Sequence, residues 1–237
     1  MTAKGKLILI PTVIADETQH KVIAPQVKNE LINIRHFLVE NVRTARRYLS
    51  ALKIYDTIDS LTFEVLSKDT PETELPTLFH PIKAGENIGI ISESGCPGIA
   101  DPGAIAVKYA HQHDITVVPL VGPSSILLAL MSSGLNGQQF SFNGYLPIEN
   151  KEREKAIRSY EKESSHRKQT QIFIETPYRN NTLLNSFIKN LKPHTELGIA
   201  VDLTGENEMI LTLPVNKWRL KSIDLPKLPA IFLFLSS

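Results

Sequence analysis

Hydrophobic positions in the first half of this chain come as short unbroken runs rather than in alternation. Leu7 to Ile10, inside Lys6 to Pro11 (KLILIP), has no polar residue, the pattern of a strand covered on both faces. Asn87 to Ile91 (NIGII) and Ile115 to Leu120 (ITVVPL) have the same character, and Ile34 to Val39 predicts a further strand. Between these runs the apolar positions fall at helical spacing. Ala24 to Asn33 predicts a helix with Pro25 in its first turn. Glu40 to Leu49, Leu78 to Ala84 and Pro102 to His113 predict three more. Thr57 to Thr77 is weakly patterned, carries several charges and two prolines, and reads as a mobile connection. Strand, helix and strand in this rhythm predict a mostly parallel sheet with right-handed crossovers.

Beyond Gly134 the pattern changes. Phe140 to Tyr145 (FSFNGY) alternates and predicts an antiparallel strand. Glu149 to Glu163 is a charged helix whose acidic and basic residues offset one another. Lys168 to Thr176 predicts a strand and Asn180 to Leu191 an amphipathic helix. Glu196 to Leu203, Glu208 to Pro214 and Pro229 to Leu235 predict three more strands, with a short helix over Val215 to Lys221. The fold class is α/β in two lobes: an N-terminal α/β lobe over 1–121 with a mostly parallel sheet, and a C-terminal α+β lobe over 122–237 with a mixed sheet.

Two loops stand out from this frame. Ile90 to Ala104 (IISESGCPGIADPGA) sets Gly95, Gly98, Gly103, Pro97 and Pro102 directly after a strand, a density that neither helix nor ladder tolerates. A loop with so defined a backbone path, at the carboxyl end of a strand, is where open α/β sheets place ligands; an ordinary strand-to-helix connection is the alternative. In Val121 to Leu130 a strand ends in Gly122-Pro123 and a helix begins with hydroxyl caps at Ser124 or Ser125. The amides there suit a carboxylate or a ribose hydroxyl, or simply a capped helix. On the helix after Glu40, Arg43 and Arg47 share a face with Arg46 beside them. Three arginines near Tyr48 are suited to gripping an acidic polymer, or form a solvated face.

Composition narrows the classes. The 237 residues carry a formal net charge of +1, which removes the bulk-charge argument for nucleic-acid binding but not a local basic patch. Cys96 is the single cysteine, so no internal disulfide forms and a reducing compartment fits. No apolar run reaches the length of a membrane span, and Met1 to Lys6 leads straight into a strand without a signal peptide, so a cytoplasmic location is expected. The seven histidines lie apart from partners at ligand spacing, and no metal site is expected. Dinucleotide, phosphate-loop and G-x-S-x-G patterns are absent.

ISESGCPGIADPGA resembles the signature loop of the tetrapyrrole methylase superfamily, and most closely that of the ribosomal small-subunit RNA methyltransferase I family, S-D-A-G-T-P-x-I-S-D-P-G. In the same order, VVPLVGPSSILLALMSSGL is similar to that family's V-P-G-P-S-A segment, FSFNGYLP to F-x-G-F-L-P, and FIETPYR to Y-E-S-P-H-R. AVDLTGENE is similar to A-R-E-L-T-K-x-x-E, and VENVRTARRYL to C-E-D-T-R-x-T-R-K-L-L. The matches run from residue 38 to 210. Departures are local. The first-strand motif T-P-I-G-N-L-x-D-I-T survives only as Pro11-Thr12-Val13-Ile14, the Glu-Asp pair becomes Glu40-Asn41, and the acidic position of the loop becomes Glu93. Asp202 and Gly205 replace an arginine and a lysine, and Asp202 reverses a charge where an RNA phosphate is expected.

The resemblance implies a methyltransferase dependent on S-adenosyl-L-methionine (SAM), usually a homodimer, with SAM in the cleft between two lobes. Carried over by position, the cofactor site draws on Pro11, on Glu93, Ser94, Gly95, Cys96, Pro97 and Ile99, on Gly122, Ser124 and Ser125, and on main-chain groups near Ile174, Glu175 and Ala200. The implied chemistry is in-line displacement at the methyl carbon. For a ribose 2′-hydroxyl acceptor, the candidate bases are Glu40 and Glu175, with Arg43 and Arg179 orienting phosphate. The implied acceptor is a cytidine of small-subunit ribosomal RNA, making RNA or the small ribosomal subunit the expected partner. A small-molecule or protein acceptor, or a SAM-binding homologue without catalysis, are the other readings.

Overall fold

The computed structural model describes residues 5–237. The chain divides into two compact units, one ending at Ser124 and one beginning at Ser125.

The first unit runs β1 (Leu7–Ile10), α1 (Gln19–Val22), α2 (Pro25–Leu31), β2 (His36–Val39), α3 (Val42–Leu52), β3 (Thr62–Val65), α4 (Leu75–Leu78), α5 (His80–Lys83), β4 (Ile88–Ile91), α6 (Gly103–Gln112) and β5 (Val117–Pro119). Its sheet has the order β3-β2-β4-β1-β5, and every neighbouring pair is parallel. The unbroken apolar runs follow from burial on two faces. Ile8 and Ile10 pack with Val27 and Leu31 of α2 and Ala45 and Leu49 of α3, whereas Leu7 and Ile90 pack with Phe79, Ala106 and Ala110 on the other side. Gly89 lets β4 sit between its neighbours: a Cβ there would lie 2.5 Å from Ile10 Cδ1 and 2.9 Å from Phe37. The β1-to-β2 connection therefore covers one face and the β4-to-β5 connection the other. Adjacent strands β1 and β4 thus lead away in opposite directions, and the crevice beyond their carboxyl ends is a topological switch point.

The segment read as a mobile connection holds β3, an edge strand in register with β2, with Phe63 stacked on Phe37 at 5.6 Å. β3 is exposed or half-buried along its length and carries no continuous apolar run, so the hydrophobic pattern does not reveal it.

The second unit contains α7 (Ser125–Ser133), β6 (Phe140–Phe142), α8 (Asn150–Arg167), β7 (Thr170–Glu175), α9 (Asn180–Asn190), β8 (Glu196–Val201), β9 (Met209–Pro214), α10 (Val215–Trp218) and β10 (Ala230–Leu235). The order is β6-β7-β10-β8-β9, with β10 antiparallel to both β7 and β8 and β9 antiparallel to β8. Contrary to expectation, β6 runs parallel to β7, because the 18-residue helix α8 returns the chain to the end it left. One face of the sheet carries Phe173, Phe187, Phe232, Phe234 and Trp218, whose indole N–H donates to Leu197 O at 2.8 Å. α8 is also more than a solvated charged face. Its Arg153 is buried and donates to Ile148 O at 2.7 Å and Ser186 Oγ at 3.0 Å, and buried Glu161 accepts from Lys192 N at 2.7 Å. Among the described residues, no helix is long and apolar enough to cross a membrane.

Candidate functional site

In the first unit, the chain segments leaving β1, β2, β4 and β5 meet at the switch point. Thr12 N donates to Gly95 O at 2.8 Å and Gly95 N to Val13 O at 3.4 Å, a seam joining the loops after β1 and β4. The loop after β5 closes on both. A Cβ on Gly122 would sit 2.0 Å from Pro11 Cβ, so only glycine lets this bend lie against the proline. Gly95 adopts φ 70°, and a Cβ on it would come within 3.3 Å of Pro123 O. The two glycine-proline bends singled out in the sequence are thus in contact.

Side chains fasten this arrangement. The Cys96 thiol donates to Pro123 O at 3.3 Å; burial, aided by the nearby Asp101 carboxylate, pushes its ionisation up and keeps it a donor. Asp101 accepts from Gly98 N at 2.8 Å and Gly103 N at 2.6 Å, tying the loop to the start of α6. Burial raises the Asp101 pKa against the lowering effect of these amides. Glu40 Oε2 accepts from Glu93 N at 3.3 Å. Its pKa is raised, mainly by burial and further by the carboxylates of Asp101 and Glu93. Tyr48 OH donates to Pro11 O at 2.7 Å, and burial lifts its ionisation far above the ordinary phenol range. Of the other first-loop residues, Pro97 is buried, while Ser94 and Ile99 are exposed.

Asp101, Thr12 and Tyr48 were not singled out from the sequence. Asp101 carried a signal, an Asp two residues before the glycine that opens a helix. Tyr48 reads only as a core aromatic on an amphipathic helix, and Thr12 as a polar residue after a strand.

The departures from the family motifs find local explanations. Asn41 caps α3, accepting from Arg43 N at 3.0 Å and Thr44 N at 3.3 Å, work an aspartate performs equally. Asp202 is buried and accepts from Asn207 N at 2.9 Å, while a Cβ on Gly205 would lie 2.4 Å from its carboxylate. The expected charge reversal on a phosphate-facing surface is therefore corrected: Asp202 clasps its own loop.

The arginines do not act as a set. Arg46 pairs with Asp59 and lies 5.7 Å over the Phe63 ring, and Arg47 reaches Asp16 at 3.4 Å. Arg43 is exposed and makes no ion pair among the described residues. Beneath α3 a cavity of about 430 Å³ opens beside the seam, bounded by Thr12, Tyr48, Arg47, Ser92 and Glu93 among others.

The remaining candidates belong to the second unit. Glu175 ends β7 with its side chain fully buried, paired with Arg179 at 3.1 Å and accepting from Thr176 N at 2.7 Å. A carboxylate so engaged fastens the turn at Pro177–Arg179. Half-buried Arg179 is its counter-ion. Ile174 and Ala200 flank β10, both in register with Ile231. Ser125 opens α7, with Ser124 before it. Among the described residues, no three His, Cys, Asp or Glu side chains are placed to hold a metal ion.

No family model matches the chain. Among solved structures, it is similar to a uroporphyrin-III-C-methyltransferase from Thermus thermophilus (TM-score 0.56, 13% identity, 98% of this chain and 94% of that one). It is likewise similar to the methyltransferase CobJ (TM-score 0.60, 13% identity, 98% of this chain and all of that one). At that identity the likeness is one of fold, and the fold is that of the tetrapyrrole methylases. Among curated proteins, the ribosomal RNA small subunit methyltransferase I of Vibrio cholerae is 30% identical over 209 residues, 88% of this chain and 68% of that protein. Its counterpart from Buchnera aphidicola of Acyrthosiphon pisum is 28% identical over 206 residues, 87% of this chain and 69% of that protein. The chain belongs to the ribosomal RNA small subunit methyltransferase I family.

Proposed function

We propose that this chain transfers the methyl group of SAM to RNA, as a 2′-O-methylation of a cytidine ribose in the small ribosomal subunit. The observation that carries the reading is the contact of the Gly95-Cys96-Pro97 and Gly122-Pro123 bends at the switch point between β1 and β4, in a member of this family. The residues present suit a sulfonium nucleoside. Gly98, at φ 84°, has nothing within 4 Å of its missing Cβ, so the loop offers backbone and open space. Burial raises the Glu40 pKa, and the carboxylates of Asp101 and Glu93 raise it further; a bound cation offsets the repulsion among the three.

When bound, SAM supplies an electrophilic methyl whose sulfur leaves as a neutral thioether. The protein's share is to align the acceptor oxygen with that methyl, exclude water, and receive the hydroxyl proton as the new carbon–oxygen bond forms. Glu40 is the group placed to take that proton, and its raised pKa makes it a stronger base than an ordinary carboxylate. Arg43, uncompensated beside it in sequence, takes the phosphate-orienting role. Homodimerisation, as the family resemblance implies, belongs to the same proposal.

The test has two stages. SAM binding is read by calorimetry and by alkylation of Cys96, which SAM is expected to shield; no heat and an unchanged alkylation rate at saturating SAM would remove the reading. Tritium from SAM is then followed into small ribosomal subunits lacking native modification. Label in RNA is the expected result. Because Arg46 and Arg47 are already paired, a small molecule or protein acceptor is the second reading, favoured by SAM binding without label in RNA.

A further inference from the structure

One end of the second unit's sheet presents aromatic side chains that have no part in methyl transfer. β6 and β7 are parallel, and the start of β10 lies against the end of β7, Ala230 beside Glu175. The segments after β6, after β7 and before β10 therefore emerge together. The first is pinned to β7 by Ile174 N, which donates to Gly144 O at 3.0 Å, and it leads into Tyr145. The second is the Pro177–Arg179 turn, which carries Tyr178. The third holds Lys227, whose ammonium lies 5.6 Å from the centre of the Tyr178 ring. Tyr178 is 81% exposed and Tyr145 60%, although each ring is large enough to gain by burial.

The rings stand in water, but the backbone beneath Tyr178 is held. Glu175 fastens the turn from below. Buried Asn180 donates to Leu228 O at 2.8 Å and Pro226 O at 3.2 Å, and Asn181 accepts from Leu225 N at 2.8 Å. The Tyr178 turn and the Lys227 segment are thus clasped to each other. A ring with two side-chain torsions on a fixed backbone offers its face to a partner at small entropic cost.

Charge narrows the partner. Arg179 is neutralised by Glu175, and Asp224 is bonded by Asn181. Lys227 is exposed and makes no ion pair among the described residues. An uncompensated ammonium against one ring, with a second ring on the neighbouring segment, matches a chain of flat groups joined by anions. That is the chemistry of a single-stranded nucleic acid, whose bases are free to stack; in a duplex those faces are already occupied.

We propose that Tyr178, Tyr145 and Lys227 form a platform for a single-stranded stretch of RNA. The two rings stack on bases whatever their identity, since every base has a π-face, and the Lys227 ammonium meets the adjoining phosphate. This rests on the RNA reading above and adds a binding surface on the second unit, built from residues outside the methyl-transfer machinery.

The test titrates fluorescently labelled, unstructured RNA oligonucleotides of unrelated sequence with the whole protein and reads anisotropy. They are expected to bind within about threefold of one another, and a blunt RNA duplex about tenfold more weakly. Tyr178→Ala is expected to weaken single-strand binding about tenfold, and Tyr145→Ala to weaken it as well. Tyr178→Phe, which keeps the ring, is expected to stay within about twofold of wild type. Lys227→Ala is expected to lower the slope of log affinity against log salt by about 0.7. Thermal melts coincident with wild type show that these surface changes leave the fold intact. Unaltered binding by Tyr178→Ala, a loss that Tyr178→Phe shares, or equal binding of the duplex would overturn the proposal. So would a wild-type protein that binds no single strand. If Tyr178→Ala binds free RNA normally yet loses assembled small subunits, the surface belongs to a protein partner and the proposal falls. The parent reading is judged separately by methyl transfer. Tyrosine-dependent binding without label in RNA sinks that reading alone, and labelling by a protein whose RNA binding ignores both tyrosines sinks the platform alone.

Discussion

Glu40 shows how a single side chain sets stability against chemistry. Burial and the neighbouring carboxylates raise its pKa, so the folded protein holds the proton at pH values where the unfolded chain has released it. Stability contributed by this group therefore falls as pH rises from the unfolded carboxylate value through the raised folded one. Glu40→Gln retains an acceptor for Glu93 N and removes that loss. The variant is expected to melt at a higher temperature than wild type at pH 7, with the difference vanishing in acid below the unfolded value. Methyl transfer moves the other way: wild-type activity declines as pH drops through the raised pKa, and the variant loses most of it. Thermal melts across pH check the first half, and a variant melting at or below the wild-type temperature at pH 7 would refute the account.

At the scale of elements, the loops at the switch point depend on small residues in tight contact. Gly122→Ala would drive a Cβ into Pro11, a ring that cannot rotate away. The expected cost is ~1–3 kcal/mol, with a lower Tm and weaker SAM binding together. Gly137→Ala, where nothing lies within 4 Å of the added atom, is the control and is expected to change neither; equal behaviour of the two would show that the β5 loop yields freely. The same elements show what hydrophobic pattern discloses. β1 and β4 were legible because burial on both faces leaves unbroken apolar runs, β5 because its apolar residues run together although it lies at an edge, and the bends because glycine and proline restrict the backbone visibly. β3 was not, since Thr62–Val65 is exposed or half-buried throughout and mixes polar with apolar residues, and the direction of β6 was not, since side-chain pattern carries no polarity. In the site, the mutual fastening of Asp101, Tyr48 and Thr12 escaped notice because each partner is a distant backbone atom or lies within a loop of unknown path. The local bonds of Asp202 and Glu175 were illegible for a related reason: a charge in sequence does not say whether it faces water or its own turn.

The whole molecule carries 26 lysines and arginines against 25 aspartates and glutamates, so its overall field gives an RNA acceptor little attraction. Recognition must then rest on few phosphate contacts and on the base. On α3 the count is short: Arg46 and Arg47 are neutralised by Asp59 and Asp16, and Arg43 alone remains uncompensated. A shallow salt dependence follows, because the slope of log affinity against log salt counts the phosphates neutralised. Arg43→Ala is expected to weaken RNA binding about equally for all sequences and to reduce that slope by about one. Arg46→Ala, which frees Asp59 instead of removing a phosphate contact, is expected to leave the slope alone. Filter binding of small-subunit RNA over a range of salt measures both. A steep wild-type slope that Arg43→Ala leaves intact would place the phosphate-binding surface elsewhere on the protein, with the switch-point loops still assigned to SAM.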